Sequence, residues 1–348
     1  MEGMDTFFSR SEPAGGILAE PVVVRLSALG DVALMTGVLE YWRRTYGWTF
    51  TVITRQAFAP VLEGHPAVRR VIGLSREDLA LPRQFDVFRD LAEAHAGRRL
   101  IDLHGTMRTR LLSALWKGPV SRYAKLGLER RLFLWSKGKL FGERLRRWNV
   151  PQWYALAVER VAPPREALLP HVWLSPEEEA GGRRLLEQLP DLSEDRPVAL
   201  HPYATHPDKA WKEDHWTELM GRLEDRGVPW IVIGRGKEMD GIPAARDYTN
   251  RTSLRETCAL LRECRVLITG DSGPMHLAGA VGTPVLALFG PTTREWGFFP
   301  AGPRDRVLEV PLACRPCSLH GKSRCARNHA CLYGITPEQV MRALEGYL

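Results

Sequence analysis

The sequence predicts an α/β protein built on parallel sheets, and three observations carry that prediction. Short apolar runs recur along the chain, each followed by a small or polar turn and then by apolar residues at helical spacing. Within Val266–Pro291 this order closes into a full strand–helix–strand unit, which requires a parallel pair joined by a right-handed crossover. The length, 348 residues, exceeds one typical domain, so two such cores are expected. A hydrophobic content of 44% with 11 Trp supports a folded globule throughout.

The elements follow in order. Residues 1–20 have early acids and no long apolar core, so they read as a disordered leader and not as a signal peptide. Pro21–Leu26 is a strand, and Ser27-Ala28-Leu29-Gly30-Asp31 turns it into a helix carrying Met35, Val38, Leu39 and Trp42. Gly30 allows close backbone approach. Asp31 sits at the mouth of a sheet, where ligands of parallel sheets bind, although an acid there also complements the helix dipole. Phe50–Thr54 and Val68–Leu74 are further strands, with a helix opening at Phe58. Leu100–Leu103 leads into His104-Gly105-Thr106-Met107-Arg108-Thr109-Arg110, a loop that places a His, a Thr and two Arg at a carboxyl end.

The Pro-rich stretch from Ala162 to Pro170 reads as the linker between domains 21–170 and 171–335. Pro176–Leu189 is a helix with acids in its first turn. Val198–His201 is a strand opening into a loop that holds Thr205 and Lys209, a hydroxyl and a point charge suited to phosphate. Trp230–Ile233 is another strand, followed by Gly234-Arg235-Gly236-Lys237-Glu238, where the third glycine of a dinucleotide fingerprint is missing. A short helix over Leu254–Leu260 precedes the strand–helix–strand unit. That unit places Asp271, Ser272, Gly273 and, one turn in, His276 at a strand's carboxyl end. Free helix N-terminal amides there suit a phosphate, and Asp271 with Ser272 also reads as a simple cap. Thr336–Gln339 begins a last helix, over 336–348.

Charge is unevenly placed. Residues 1–170 hold 26 Lys/Arg against 17 Asp/Glu, a balance of +9, whereas the remainder carries −2. Arg98–Arg147 alone holds 14 basic and 3 acidic residues, or +11, which attracts a polyanion. Aromatic residues interleave with the Arg130-Arg131 and Arg144–Arg147 segments, a mix suited to phosphates beside lipid or sugar, and no nucleic-acid motif accompanies it. No apolar run is long enough to cross a bilayer, and the lack of an export signal makes a cytoplasmic setting the expectation. Six Cys then read as thiols or metal ligands before a disulfide framework. Cys314 and Cys317 have zinc-like spacing, but Cys325 and Cys331 do not form a second standard pair, so a metal, free thiols and a stapled loop all stay open.

Three strings together resemble the lipopolysaccharide heptosyltransferases of glycosyltransferase family 9. They are the strand with SALGDV, the Lys209-Ala210-Trp211 loop, and TGDSGPMHLAGAVGTPVLALFGPT; the Cys tail running into ITPEQV is similar too. The likeness spans about Val22 to Val340. It implies a GT-B fold, two Rossmann-like parallel-sheet domains facing across a cleft, with the C-terminal helix able to return to the N-terminal domain. It implies an inverting transfer of a heptose from ADP-heptose to a lipid A–Kdo type inner-core acceptor, with no cofactor, at the cytoplasmic face of the inner membrane. Asp31 falls on the catalytic base; Thr205, Lys209, Glu238, Asp271, Ser272, Gly273 and His276 fall on donor positions. Gly30, His104, Arg108, Arg110, Arg130 and Arg131 lie on the acceptor side. Ala204 departs from a branch with a second Thr, and Ser272 replaces a frequent Thr while keeping the hydroxyl. A D-x-D type carboxylate pair is lacking, in line with metal-independent chemistry. The expected partners are a nucleotide sugar and an anionic glycolipid, with peripheral membrane contact and no nucleic acid. Rival readings are a sugar-nucleotide epimerase or hydrolase on the same fold, and an inactive basic protein binding glycolipid or nucleic acid.

Overall fold

The computed structural model describes residues 20–189, 196–319, 321 and 325–348. The leader expected over 1–20 therefore lies almost wholly outside the described residues. Two all-parallel sheets organise the rest. The first contains β1 (Val22–Val24), β2 (Phe50–Arg55), β3 (Val68–Leu74), β4 (Leu100–Asp102) and β5 (Val120–Arg122), in the order β3-β2-β1-β4-β5. The second contains β6 (Val198–His201), β7 (Trp230–Gly234), β8 (Asp247–Thr249), β9 (Val266–Gly270), β10 (Val285–Phe289) and β11 (Arg306–Glu309), in the order β11-β10-β9-β6-β7-β8. The central strands are covered on both faces, so β1, β9 and β10 read as unbroken apolar runs without alternation. Strands β5, β8 and β11 escape the sequence reading because polar residues interrupt them (VSR, DYT and RVLE), so none makes an apolar run.

The helices of the first half are α1 (Leu29–Tyr46), α2 (Arg83–Ala94), α3 (Met107–Leu115), α4 (Gly127–Trp135), α5 (Gly142–Arg146) and α6 (Val150–Ala155). The stretch Gln56–Leu62, expected to open an α-helix, is a 3-10 helix, since Pro60 lacks the amide that would continue an α pattern. The second half has α7 (Pro176–Leu186), α8 (Glu213–Asp225), α9 (Leu254–Arg262), α10 (Gly273–Ala280), α11 (Ala330–Tyr333) and α12 (Pro337–Leu344). The C-terminal helix does not return to the N-terminal domain. Val340, Met341 and Leu344 on its apolar face join Trp216, Leu219 and Leu223 of α8 in one buried cluster over the second sheet. That docking spot is nearer in space and already apolar, so crossing the cleft would leave the same face in water.

Topology fixes where ligands can sit. Strand order reverses between β1 and β4 in the first sheet and between β6 and β9 in the second. A crevice opens at each reversal, beyond the carboxyl ends. The loops lining the two crevices are those after β1 and β4 and those after β6 and β9, which hold the residues singled out above.

Candidate active site at the interdomain junction

In the first half, the turn after β1 delivers Asp31 into the first turn of α1. Its Oδ2 accepts the Ala28 amide at 3.0 Å, satisfying one of the amides that a helix start leaves unpaired. Its Oδ1 lies 2.5 Å from the Arg25 guanidinium and accepts the Tyr154 hydroxyl at 2.8 Å. Arg25 is itself buried, gives a second bond to the Leu103 carbonyl at 2.5 Å, and lies 5.3 Å from the centre of the Tyr154 ring. Burial pushes the Asp31 carboxyl upward, but Arg25, the Ala28 amide and Tyr154 together hold it below the usual carboxylate range. Asp31 is therefore a charged, fixed carboxylate. The buried His104 packs nearby, with an unpartnered Nδ1. Burial, reinforced by Arg25 and Lys125, drives its pKa down to about 4, so it is neutral near pH 7.

In the second half, the loop after β6 brings Lys209 to the turn after β9. Its Nζ lies 2.5 Å from Asp271 Oδ2, and the same oxygen accepts the Thr292 hydroxyl at 2.9 Å. Ser272 shares a polar cluster with Thr269 at 3.0 Å and with His201 Nδ1 at 3.4 Å. Ser272 then hands the chain into α10, whose first amides have no intrahelical acceptors. Tyr203 is held by Thr249 at 2.7 Å and wedged against Gly234 and Gly236, where an added Cβ would stand 2.7 and 2.4 Å from its ring. The two glycines of the failed dinucleotide fingerprint thus make room for an aromatic ring. Thr205 and Glu238 are exposed on the loops of the same crevice.

The two halves meet through the starts of α1 and α10. A Cβ on Gly30 would fall 2.4 Å from the His276 ring, and one on Gly273 would fall 3.1 Å from the Leu29 side chain. His276 is buried, and burial keeps it neutral against the pull of Asp271 and Asp31. Its ring lies 6.2 Å from Phe298, which in turn sits under Arg130 at 5.9 Å. Arg130 also donates to the Trp296 carbonyl at 3.0 Å, so it ties α4 to the second half. A cavity of about 690 Å³ opens behind this junction, lined by Gly37, Arg44, Arg165 and Gly279 among others. It holds neither Asp31, Asp271 nor Lys209 in its wall.

The junction brings together Asp31, Gly30, His104, Lys209, Asp271, Ser272, Gly273, His276 and Arg130. Arg108 turns to Gln84, donating at 3.0 Å; Arg110 and Arg131 are exposed. Sequence reasoning missed Arg25, Tyr154, Thr292 and His201. Arg25 left a signal, a lone cation just past β1 in the apolar run Pro21–Leu26, and Thr292 closes the quoted TGDSGPMHLAGAVGTPVLALFGPT string, whereas Tyr154 arrives from a distant segment. Cys314, Cys317, Cys325 and Cys331 are all free thiols, and no group of three or more His, Cys, Asp or Glu among the described residues could hold a metal.

Two parallel-sheet domains with their switch-point loops apposed make up a GT-B architecture. Residues 99–325 match the family model described as glycosyltransferase family 9 (heptosyltransferase), and the chain belongs to that family. It is 29% identical over 316 residues to lipopolysaccharide heptosyltransferase 1 of Pseudomonas aeruginosa, covering 85% of each chain. To lipopolysaccharide heptosyltransferase 2 of Escherichia coli it is 30% identical over 172 residues, 45% of this chain and about half, 48%, of that one. In fold it is similar to the structure of E. coli ADP-heptose lipopolysaccharide heptosyltransferase II, with a TM-score of 0.70 and 22% identity, covering 94% of this chain and 98% of the other.

Proposed function

We propose that this protein transfers a heptose from ADP-heptose to an anionic inner-core glycolipid of lipid A–Kdo type, with inversion at the anomeric carbon. The observation that carries the reading is the pairing of two carboxylates at one junction, Asp31 fixed and ionised on one side and Asp271 held by Lys209 on the other. Asp31 is the general base. Its Oδ1 is taken by Arg25 and Tyr154, while Oδ2 accepts only the Ala28 amide, so Oδ2 receives the acceptor's proton. A carboxylate with a depressed pKa is a weak base toward an alcohol. Proton transfer therefore runs late, as the oxygen bonds to the electron-poor anomeric carbon and becomes acidic.

The acceptor oxygen attacks the face opposite the diphosphate, the carbon–oxygen bond to the phosphate breaks, and ADP leaves with the electron pair. Lys209 then exchanges Asp271 for the diphosphate and, with the α10 N-terminal amides at Ser272 and Gly273, stabilises its growing charge. Thr205 joins Lys209 at the diphosphate, Tyr203 and Glu238 serve the nucleoside, and His276 packs at the sugar. The +11 block over 98–147 supports an anionic acceptor presented at the cytoplasmic face of the inner membrane. No helix among the described residues is long and apolar enough to cross a membrane.

The test is a donor screen by mass spectrometry with a defined lipid A–Kdo acceptor. Heptose addition with release of ADP is expected. ADP-heptose consumed without any acceptor would favour the hydrolase or epimerase reading, and a product of retained configuration would remove Asp31 as base.

A further inference from the structure

Helix α4 has two faces with different tasks. Inward, Phe133 packs edge-on against Trp296 at 5.7 Å between ring centres and joins Leu126 and Leu145 in a small buried cluster. Arg130, also on the inward side, reaches Trp296 and Phe298 and lies within electrostatic range of Asp31. Outward, Leu128 is 67% exposed and Trp135 is 80% exposed. They stand seven residues apart, two helical turns, with the exposed Arg131 between them on the same face. The strip continues past the helix end into Lys137, Lys139, Leu140 and Phe141, all exposed. Among the described residues Arg131, Lys137 and Lys139 have no acidic ion-pair partner, whereas Glu129 is paired with Arg144.

A buried cluster this small gives no structural reason for an exposed Trp beside unpaired cations. Burial of Leu128 and Trp135 elsewhere in the fold would have been favourable by the apolar area alone. The exposed apolar side chains are interspersed with cations along the chain, which argues against a protein partner needing a dry interface centre. Amphipathic aromatic and aliphatic tips spaced among lysines and arginines match the headgroup level of an anionic bilayer.

We propose that the corner formed by α4 and the turn 137–141 docks on an anionic lipid bilayer, with Leu128, Trp135 and Phe141 at the headgroup–acyl boundary and Arg131, Lys137 and Lys139 on the lipid phosphates. The inference deepens the glycolipid reading above and rests on it for its purpose: one helix diameter, about 10 Å, then separates the bilayer from the Arg130 side of the site. A lipid-anchored acceptor would be presented directly at Asp31.

Binding is measured by co-sedimentation of the full chain with vesicles of phosphatidylethanolamine alone or mixed with phosphatidylglycerol, with no acceptor or donor present. The expected result is salt-sensitive binding to the phosphatidylglycerol mixture and little to the neutral vesicles. Lys137→Glu with Lys139→Glu should weaken it about tenfold or more and flatten its salt dependence, and Leu128→Ser with Trp135→Ser should weaken it while leaving the salt dependence in place. Arg183→Glu with Arg184→Glu, on α7, should leave it unchanged, and thermal melts verify that each variant is folded. With a delipidated, water-soluble acceptor the Lys137/Lys139 variant should transfer at the wild-type rate, and with acceptor embedded in vesicles it should lose rate. Equal vesicle binding by the wild type and the Lys137/Lys139 variant overturns the proposal. So does tighter binding to RNA or heparin than to the anionic vesicles in direct competition. Vesicle binding contains no sugar chemistry, so it survives a failure of the donor assignment, and loss of transfer to the soluble acceptor in the wild type would isolate that failure.

Discussion

The two halves of the junction solve one problem differently. Each places an acid at a helix start beside a cation 2.5 Å away: Asp31 with Arg25, and Asp271 with Lys209. Arg25 comes from the strand just before Asp31, is buried, and is itself bonded to the Leu103 carbonyl. Its charge cannot be titrated away, and its planar donors lock the carboxylate in one orientation. Lys209 arrives on a loop from a different strand and is 16% exposed against 7% for Arg25, while the two acids are alike at 15% and 13%. A lysine is a single mobile charge that can change partners. The first pair is built to stay and the second to open, which suits a base on one side and a departing diphosphate on the other.

That contrast can be broken or sharpened. The largest effect is expected from Asp31→Asn, which should lower kcat by about 10²–10⁴-fold while leaving the donor Kd nearly unchanged; calorimetry with ADP and a turnover assay on the same protein separate the two. Lys209→Met should reduce kcat/KM by about 10²-fold. Its effect should fall on the donor and leave the acceptor KM alone, and a change confined to the acceptor would contradict the division of roles. Gly30→Ala should cost about tenfold in kcat/KM, because a methyl 2.4 Å from the His276 ring must push α1 off α10. A crystal structure or scattering profile of that variant should show the two domains spread apart.

Acid should weaken both halves through their buried histidines. His104 in the first and His201 in the second are each pushed down to about 4, chiefly by burial. The unfolded chain takes up protons near 6.5 while the folded protein does not, so stability is full above that value and falls as pH drops from about 6.5 toward 4. Melting curves across that window should show the loss, and His201→Gln should flatten part of the slope. The smallest effect is expected from Tyr154→Phe. It removes one hydrogen bond to Asp31 worth about 1 kcal/mol, so a few-fold loss in rate is expected, with the acidic limb of the pH–rate profile shifted upward.

Much of the fold was legible in the chain. The apolar runs of β1, β2, β6, β7, β9 and β10, with small or polar turns after them, mark parallel strands buried on both faces. Asp31 and the Asp271–His276 turn were legible because a ligand site at the end of such a strand must use the first residues after it. Arg110 was read from its loop at a strand's carboxyl end and Arg131 from its basic and aromatic setting; both are exposed, and neither signal says which way a helix faces. The C-terminal helix likewise carried an apolar face with no address written on it, and α8 supplied one.

The sequence by itself determined the strand–turn–helix units, the acids at their mouths, the basic excess of the first half and membership of a sugar-transferring family. Local spacing and composition suffice for the units, the acids and the charge, because each depends on residues close together in the chain; the family rests on the resemblance of the motif strings. Tertiary structure alone decided that Arg25 and Tyr154 hold Asp31, that Lys209 and Thr292 hold Asp271, and that Gly30 meets His276. Each of those pairings, apart from Arg25 with Asp31, joins residues far apart in the chain, and only the packing of α1 against α10 gives the two acids a common space.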